Sequence, residues 1–298
     1  MKTNAPILVF GEALFDCFPG GEQVLGGAPF NVAWHLQALG DQPFFISGIG
    51  NDALGQKILS AMCGWGMDTQ SIQIDPEHQT GQVEVTIIEN EPHYTITPNC
   101  AYDFISAELM KNQPDNGILY HGTLGLRNNI SRDCFARIAQ QPDLLVFLDV
   151  NLRSPWWQRQ EVFDWLEQAH WVKLNEDELQ QLGFVSADIY ESMHKLQTQF
   201  QLEQLIVTQG AKGATVLAAD GRLYQETPSS VNHIVDTVGA GDGFSALFIH
   251  GLRAGWPIVK TLTIAQQFAG KVIGLRGATA TEPDFYREFL SVCHEQIR

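Results

Sequence analysis

Residues 236–244, DTVGAGDGF, set two carboxylates, Asp236 and Asp242, around three small residues, Gly239, Ala240 and Gly241. An extended segment runs into this stretch and a helical pattern, GDGFSALFIHGLRAG, runs out of it. That order predicts a side-chain-poor turn at a helix N-terminus, where backbone N–H groups lack intrahelical partners and the helix dipole favours negative charge. Small residues let a phosphate approach such a backbone closely. A carboxylate beside a phosphate site repels a resting anion, so it needs a task of its own. Asp242 fits a general base that takes the proton of an attacking hydroxyl while the turn collects charge on a transferring phosphoryl group. The same residues also read as a tight turn followed by an N-terminal helix cap. No GxxxxGK[ST] occurs in the chain, so a P-loop does not hold the phosphate.

Other residues could serve the partner that receives the phosphoryl group. In GEALFDCFPGG, Asp16 stands just past a strand pattern, where sheets of this type bind ligands. Its two acceptor oxygens suit sugar hydroxyls, although a turn aspartate looks the same. Gly26 and Gly27 let backbone N–H groups come close to a ligand, and Asn31, one helical turn on, offers both donor and acceptor. Asn175 and Glu178 have N-x-x-E spacing at a helix start, which puts them on one face. They read equally as a capped first turn. Arg153 ends the segment DVNLR and could be a surface ion pair. His35, His121 and His233 show no metal-ligand pairing, and core or surface roles suit them.

Composition narrows the class. The chain has 298 residues, 44% of them hydrophobic, at the upper edge of what one core supports. The net charge of −16 argues against nonspecific binding to nucleic acid or an anionic membrane. Any anionic ligand must therefore be held by local donors and metal. Cys17, Cys63, Cys100, Cys134 and Cys293 are scattered and odd in number, which fits a reducing cytoplasm better than a disulfide framework. The N-terminal apolar stretch is broken by Glu12 and Asp16, unlike a signal peptide. No run of ~18 apolar residues suggests a membrane span.

The elements that must position these residues alternate. PILVFGEAL reads as a buried strand, APFNVAWHLQALG as a helix closed by Gly40, PFFISGIG as a strand and DALGQKILSAMCGWG as a helix. Continuous apolar strands alternating with helices predict a doubly wound, mostly parallel sheet covered on both faces. The rhythm breaks at 82–98, where QVEVTIIENEPHYTITP alternates on both sides of a turn at Asn90-Glu91-Pro92. That is an antiparallel hairpin. Together with the extended segment at 12–25 it is expected to form a small β-sheet projecting as a lid from a single domain spanning 1–298. An edge hairpin of the main sheet is the other reading. The βα rhythm then resumes, until GATVLAADGRLYQE reads as a hairpin and GDGFSALFIHGLRAG and VKTLTIAQQFAGKVIGLRG as two helices.

DTVGAGDGF resembles the C-terminal signature of the ribokinase/PfkB family of sugar kinases, and GGAPFNVAWHLQALG at 26–40 resembles its N-terminal signature. The resemblance covers essentially the whole chain, including KLNEDEL and VTQGAKGA. It implies a ribokinase-like α/β fold with a β-lid and transfer of the ATP γ-phosphoryl group to a sugar hydroxyl. Asp242 is then the base, and Gly239, Ala240 and Gly241 form the anion hole. Asp16, Gly27 and Asn31 become sugar ligands, with Gly26 beside them. Asn151 and Arg153 lie near the phosphates, although Val150 stands where similar segments have proline. Asn175 and Glu178 organise magnesium through water, and Lys173 meets a nucleotide phosphate. Thr208, Gly210 and Gly213 run along the phosphates, and Ala265 and Ala269 line the adenine pocket. Asp236, Gly277 and Thr281 stand where relatives hold a monovalent cation such as potassium. Gly243 replaces a common alanine at a small cost in helix propensity.

GEALFDCFP, GGAPFNVA and DVNLR look most like fructokinases, so fructose is the expected substrate. TPNCAYDF departs from that pattern, and this concerns the far end of the sugar. A 2-keto-3-deoxygluconate kinase would need a cation for the substrate carboxylate, for which Arg127 is a weak candidate; a nucleoside kinase comes third. A non-catalytic sugar or nucleotide sensor would be expected to lack the base or the turn, and both are present. A homodimer through the lid is expected if Val83, Val85 and Ile87 face a second copy.

Overall fold

The structure, a computed structural model, describes residues 5–88, 91–110, 113–228 and 235–294. In chain order the elements are β1 (Ile7–Phe10), β2 (Leu14–Cys17), β3 (Gln23–Gly26), α1 (Ala28–Ala38), β4 (Phe44–Gly50), α2 (Ala53–Gly64), β5 (Ile72–Asp75), β6 (Gly81–Ile88), β7 (Glu91–Ile96), β8 (Asn116–His121), α3 (Asn129–Ala139) and β9 (Asp143–Asp149). There follow α4 (Arg159–Leu166), β10 (Trp171–Asn175), α5 (Glu176–Gln181), α6 (Ile189–Phe200), β11 (Gln204–Thr208), β12 (Ala214–Ala218), β13 (Leu223–Glu226), α7 (Ala240–Ala254), α8 (Ile258–Val272) and α9 (Arg287–His294).

The large sheet has the order β13-β12-β11-β10-β9-β8-β1-β4-β5. Strands β5 to β11 in that order are parallel, and β12 and β13 are antiparallel. Alternate residues of β1 serve two cores. Ile7 and Val9 pack toward α1, α7 and α8, with Phe30, Phe248 and Phe268. Leu8 and Phe10 pack toward α3, α4 and α6, with Phe135, Leu166 and Leu196. A strand covered on both faces reads as an unbroken apolar run, which is why ILVF carries no alternation. The chain winds from β1 to β4 and β5, then returns to β8 on the other side. The crevice at the carboxyl ends of β1 and β8 is therefore the topological switch point.

The small sheet has the order β3-β2-β6-β7, with β2 parallel to β6. It corresponds to the expected lid segments. One expectation needs correction: PILVFGEAL is two strands in two sheets. The chain leaves the main sheet at Gly11, whose φ is +147°, and Leu14 begins pairing in the small one. Asn90 of the expected hairpin turn lies outside the described residues. The apolar face of the hairpin is also covered differently from expectation. Val83 packs on Leu14, Cys100 and Tyr102 of its own chain, and Val85 is 1% exposed. Neither side chain is free to meet a second copy; that of Ile87 lies outside the described residues. The tip of the β2–β3 hairpin touches the main body, where Glu22 pairs with Arg276 at 2.6 Å.

At the opposite end of α7 a buried polar cluster ties helix to sheet. Asp41, which precedes β4, lies 2.8 Å from His250 Nδ1 and accepts a bond from Arg253 at 2.6 Å. Burial opposes a charge on His250, but Asp41 and Cys293 outweigh it and hold the imidazolium up to about 9. A folded-state pKa raised above the unfolded value gives stability that is complete below about 6.5 and is lost as pH rises through about 9. The melting temperature of the wild type should therefore fall between pH 6.5 and 9 more steeply than that of His250→Gln. Parallel profiles for the two proteins would contradict this.

Candidate active site

Helix α7 points its N-terminus into the switch-point crevice. Gly239 is its N-cap with φ +81°, and a Cβ there would sit 2.3 Å from Ala278 Cβ. Both facts demand glycine, so backbone geometry alone fixes the residue. The amides of Ala240, Gly241 and Asp242 begin the helix and have no carbonyl four residues back inside it. The turn thus presents a cluster of backbone donors at the positive end of a helix dipole.

Asp242 is the first acid of that helix, and its Oδ2 accepts a 2.8 Å bond from Asn31 Nδ2 on α1. Removal from water pushes its carboxyl up to about 6, and Asp149 adds repulsion. Asn31, Lys173 and Arg153 pull the other way. A carboxylate poised near neutrality, with one oxygen fixed by an amide, suits a general base.

Beneath the turn lies a buried ion pair. Lys173 Nζ donates to Asp149 Oδ2 at 2.7 Å, and the two residues are 6% and 2% exposed. Ser245 Oγ donates to the same Asp149 oxygen at 2.8 Å, and Tyr120 stands 3.4 Å from it. A Cβ on Gly241 would be 3.4 Å from Lys173 Nζ. The ammonium is therefore directly below the anion turn, where it adds positive potential in a low-dielectric setting. Asp149 holds it there, with Ser245 bonded to the same carboxylate; no spacing or motif marks Ser245 in the sequence.

On the other side, Asp16 does not follow a strand end, as expected, but lies inside β2 of the small sheet. Its Oδ2 is 3.6 Å from where a Gly26 Cβ would be, at the end of β3. Burial pushes the Asp16 carboxyl up to about 6, helped by Asp236 and opposed by Arg153. Gly27 is the N-cap of α1 with φ +104°, and a Cβ there would meet the Glu12 carbonyl oxygen at 2.6 Å. Asp16 and Gly26 are thus neighbours in the small sheet, Gly27 caps α1 and accepts from the Asn31 amide at 2.8 Å, and Asn31 is the member of this set that contacts Asp242.

The remaining expected residues fall into two sets. Asn175 and Glu178 form a reciprocal capping box. Glu178 Oε2 accepts from Asn175 N at 2.9 Å and Oε1 from Leu152 N at 2.8 Å, so this carboxylate clasps the loop after β9 to the start of α5. Asn151 has φ +40°, and Arg153 is exposed with no ion pair among the described residues. Thr208 ends β11 beside Asn175, and Gly210 and Gly213 bracket the turn that follows. Ala265 and Ala269 stand apart: they are 0% and 8% exposed within the core. That placement runs against the adenine-pocket expectation, because α8 turns this face toward the core. Asp236 Oδ1 accepts from Val238 N at 2.9 Å, Gly277 lies against Val24, and Thr281 is exposed. Among the described residues no group of three or more His, Cys, Asp or Glu is arranged to hold a metal ion. No helix among them is long and apolar enough to cross a membrane.

Glu12 was missed as a site residue. It is 3% exposed at the carboxyl end of β1, and its charge acts on the same neighbourhood as Asp242, Arg153 and Arg127. The available signal was an acid placed directly after a strand buried on both faces.

Residues 18–284 match the pfkB family carbohydrate kinase profile. The chain is 31% identical over 302 residues to a fructokinase of Klebsiella pneumoniae, covering 94% of this chain and 97% of that protein. A fructokinase of Vibrio cholerae O395, solved as a double mutant with fructose, ADP and potassium bound, superposes with a TM-score of 0.83 at 25% identity, covering 96% of this chain and 99% of that one. An aminoimidazole riboside kinase of Salmonella enterica shares the fold, with a TM-score of 0.82 at 23% identity over 96% and 99% of the two chains. A basic residue under a helix N-terminus, an acid at its first turn and a family profile over most of the length agree: the chain belongs to the pfkB family of carbohydrate kinases and is a sugar phosphotransferase.

Proposed function

We propose that this kinase transfers the ATP γ-phosphoryl group to a hydroxyl of fructose, with Asp242 as the base. The observation that carries this reading is the 2.8 Å bond from Asn31 to Asp242, which joins the expected sugar side to the phosphate side at one carboxylate. Asp242 takes the proton as the hydroxyl oxygen forms its bond to the γ-phosphorus and the bond from that phosphorus to the β,γ-bridging oxygen breaks, so that ADP leaves. The amides of Ala240, Gly241 and Asp242 gather the charge that builds on the transferring group, with Lys173 below them. Asp16, Asn31 and the Gly26-Gly27 backbone bind sugar hydroxyls. Closure of the small sheet excludes water, which would otherwise be the acceptor.

Magnesium bound with ATP would neutralise phosphate charge. Magnesium keeps much of its water shell, and Glu178, whose two oxygens already accept backbone bonds, suits contact through water rather than direct ligation. Asn151, Arg153, Thr208, Gly210 and Gly213 serve the nucleotide phosphates. A potassium ion beside Asp236, Gly277 and Thr281 would support the turn from outside the transfer path; the Vibrio cholerae relative, solved with potassium, supports this reading.

Fructose is favoured over a sugar acid on charge. Arg127 is the cation weighed for a substrate carboxylate, and its Nε and Nη2 both donate to Asp103 at 2.7 Å. Glu12, Asp16 and Asp242 would repel an added carboxylate. The fructokinase name carried by the Klebsiella pneumoniae relative supports the same choice.

Coupled ADP release over a sugar panel should show fructose as the best acceptor, and Asp242→Asn should lower kcat by about a thousandfold or more while ATP still binds. Near wild-type turnover in that variant would remove Asp242 from its role. The pH profile of kcat/KM should lose activity on the acid side around pH 6, because the base must be ionised and its carboxyl sits at about 6. A flat profile from pH 5 to about 8 would contradict it. Gly239→Ala meets both a positive φ and the Ala278 clash, so it should cost about a hundredfold in kcat with fructose binding retained. An unchanged kcat would show that the turn is not the anion site.

A further inference from the structure

Four buried polar atoms around the crevice have no hydrogen-bond partner among the described residues: Glu12 Oε2, Asn31 Oδ1, Tyr102 Oη and Arg127 Nη1. Asn31 is bonded to Asp242 through its other terminal atom. Arg127 lies 5.0 Å over the Tyr102 ring and, with Arg153 and Asp242, sets the charge around Glu12. An unmet buried polar group is costly, so a cluster of them around one site calls for a polar ligand. Together they offer donors and acceptors, which matches hydroxyl groups.

Glu12 is the member with the clearest construction. Two glycines make room for it: a Cβ on Gly27 would lie 3.3 Å from Glu12 Cγ, and a Cβ on Gly125 would lie 3.2 Å from Oε2. The carboxyl thus enters between the start of α1 and the loop after β8. It is held in the crevice by backbone that carries no side chain.

We propose that Glu12 is a specificity-determining residue that binds a sugar hydroxyl other than the one phosphorylated. This rests on the fructose reading above. A hydroxyl both donates and accepts, so it meets the carboxyl in either protonation state. Burial pushes Glu12 up to about 7, with Asp242 adding to the rise and Arg153 and Arg127 opposing it, so both states occur near neutral pH. A site that holds a hydroxyl this way rejects the analogue lacking it, because the buried carboxyl is then left unmet.

The test compares wild type and Glu12→Gln with fructose and the set of singly deoxygenated fructoses. In the variant, KM for fructose should rise about tenfold or more, with KM for ATP changed less than about twofold. One deoxy sugar that costs wild type about tenfold in kcat/KM should cost the variant less than about twofold. A fructose KM unchanged in the variant, or the same penalties for every analogue in both enzymes, would overturn the assignment. Should Glu12→Gln fail to fold, Glu12→Asp keeps the charge and shortens the reach, and the same loss of coupling is expected. Penalties in Glu12→Asp equal to those of wild type would overturn the assignment too. Absence of fructose turnover in wild type would instead refute the fructose reading, and the Glu12 assignment would fall with it.

Discussion

The structure depends on keeping a desolvated carboxylate beside a site for negative charge. Asp242 opens helix α7, where the backbone attracts anions, and in the proposed transfer the fold must stop that acid from repelling the phosphate. Asn31 fixes one of its oxygens, while Lys173 and Arg153 offset its charge. Burial raises its affinity for a proton, which is the property a base needs. The Asp149–Lys173 pair extends the same balance one layer deeper, because an ammonium at that depth needs its own counter-ion.

The topology explains why these groups meet. The return of the chain from β5 to β8 opens a crevice beside β1, and residues from distant segments end there. Glu12 follows β1, Arg127 follows β8, Asp149 ends β9 and Lys173 lies in β10. The small sheet adds Asp16 from above through β2. Because β2 continues directly from β1 after Gly11, a movement of the small sheet would carry Asp16 while leaving Asp242 in place.

Much of this was legible in the sequence. The buried parallel strands, the hairpin at 82–98 and the glycine turn before α7 all have strong local signals, because apolar runs, alternation and glycine report backbone needs directly. Contacts across the sequence were harder. Asp16 looked like a residue beyond a strand because ILVF and LFDC are both apolar enough to merge, and only pairing partners separate their sheets. Ala265 and Ala269 have small side chains, but size does not tell which face of α8 meets the core. The capping box at Asn175 and Glu178 was visible, whereas the Leu152 amide that Glu178 also receives was not. Glu12 was hidden because a single acid after a strand has no spacing to mark it; its meaning comes from Gly27 and Gly125, which lie far away in the chain.

The central claim is that one turn collects the phosphate's charge while the adjacent acid takes the hydroxyl proton. A crystal structure with fructose and a non-hydrolysable ATP analogue tests it most directly. The account predicts the terminal phosphate within hydrogen-bond distance of the amides of Ala240, Gly241 and Asp242, and a fructose hydroxyl on the Asp242 carboxylate. A terminal phosphate bound away from residues 239–242, or a sugar with no hydroxyl near Asp242, would contradict it.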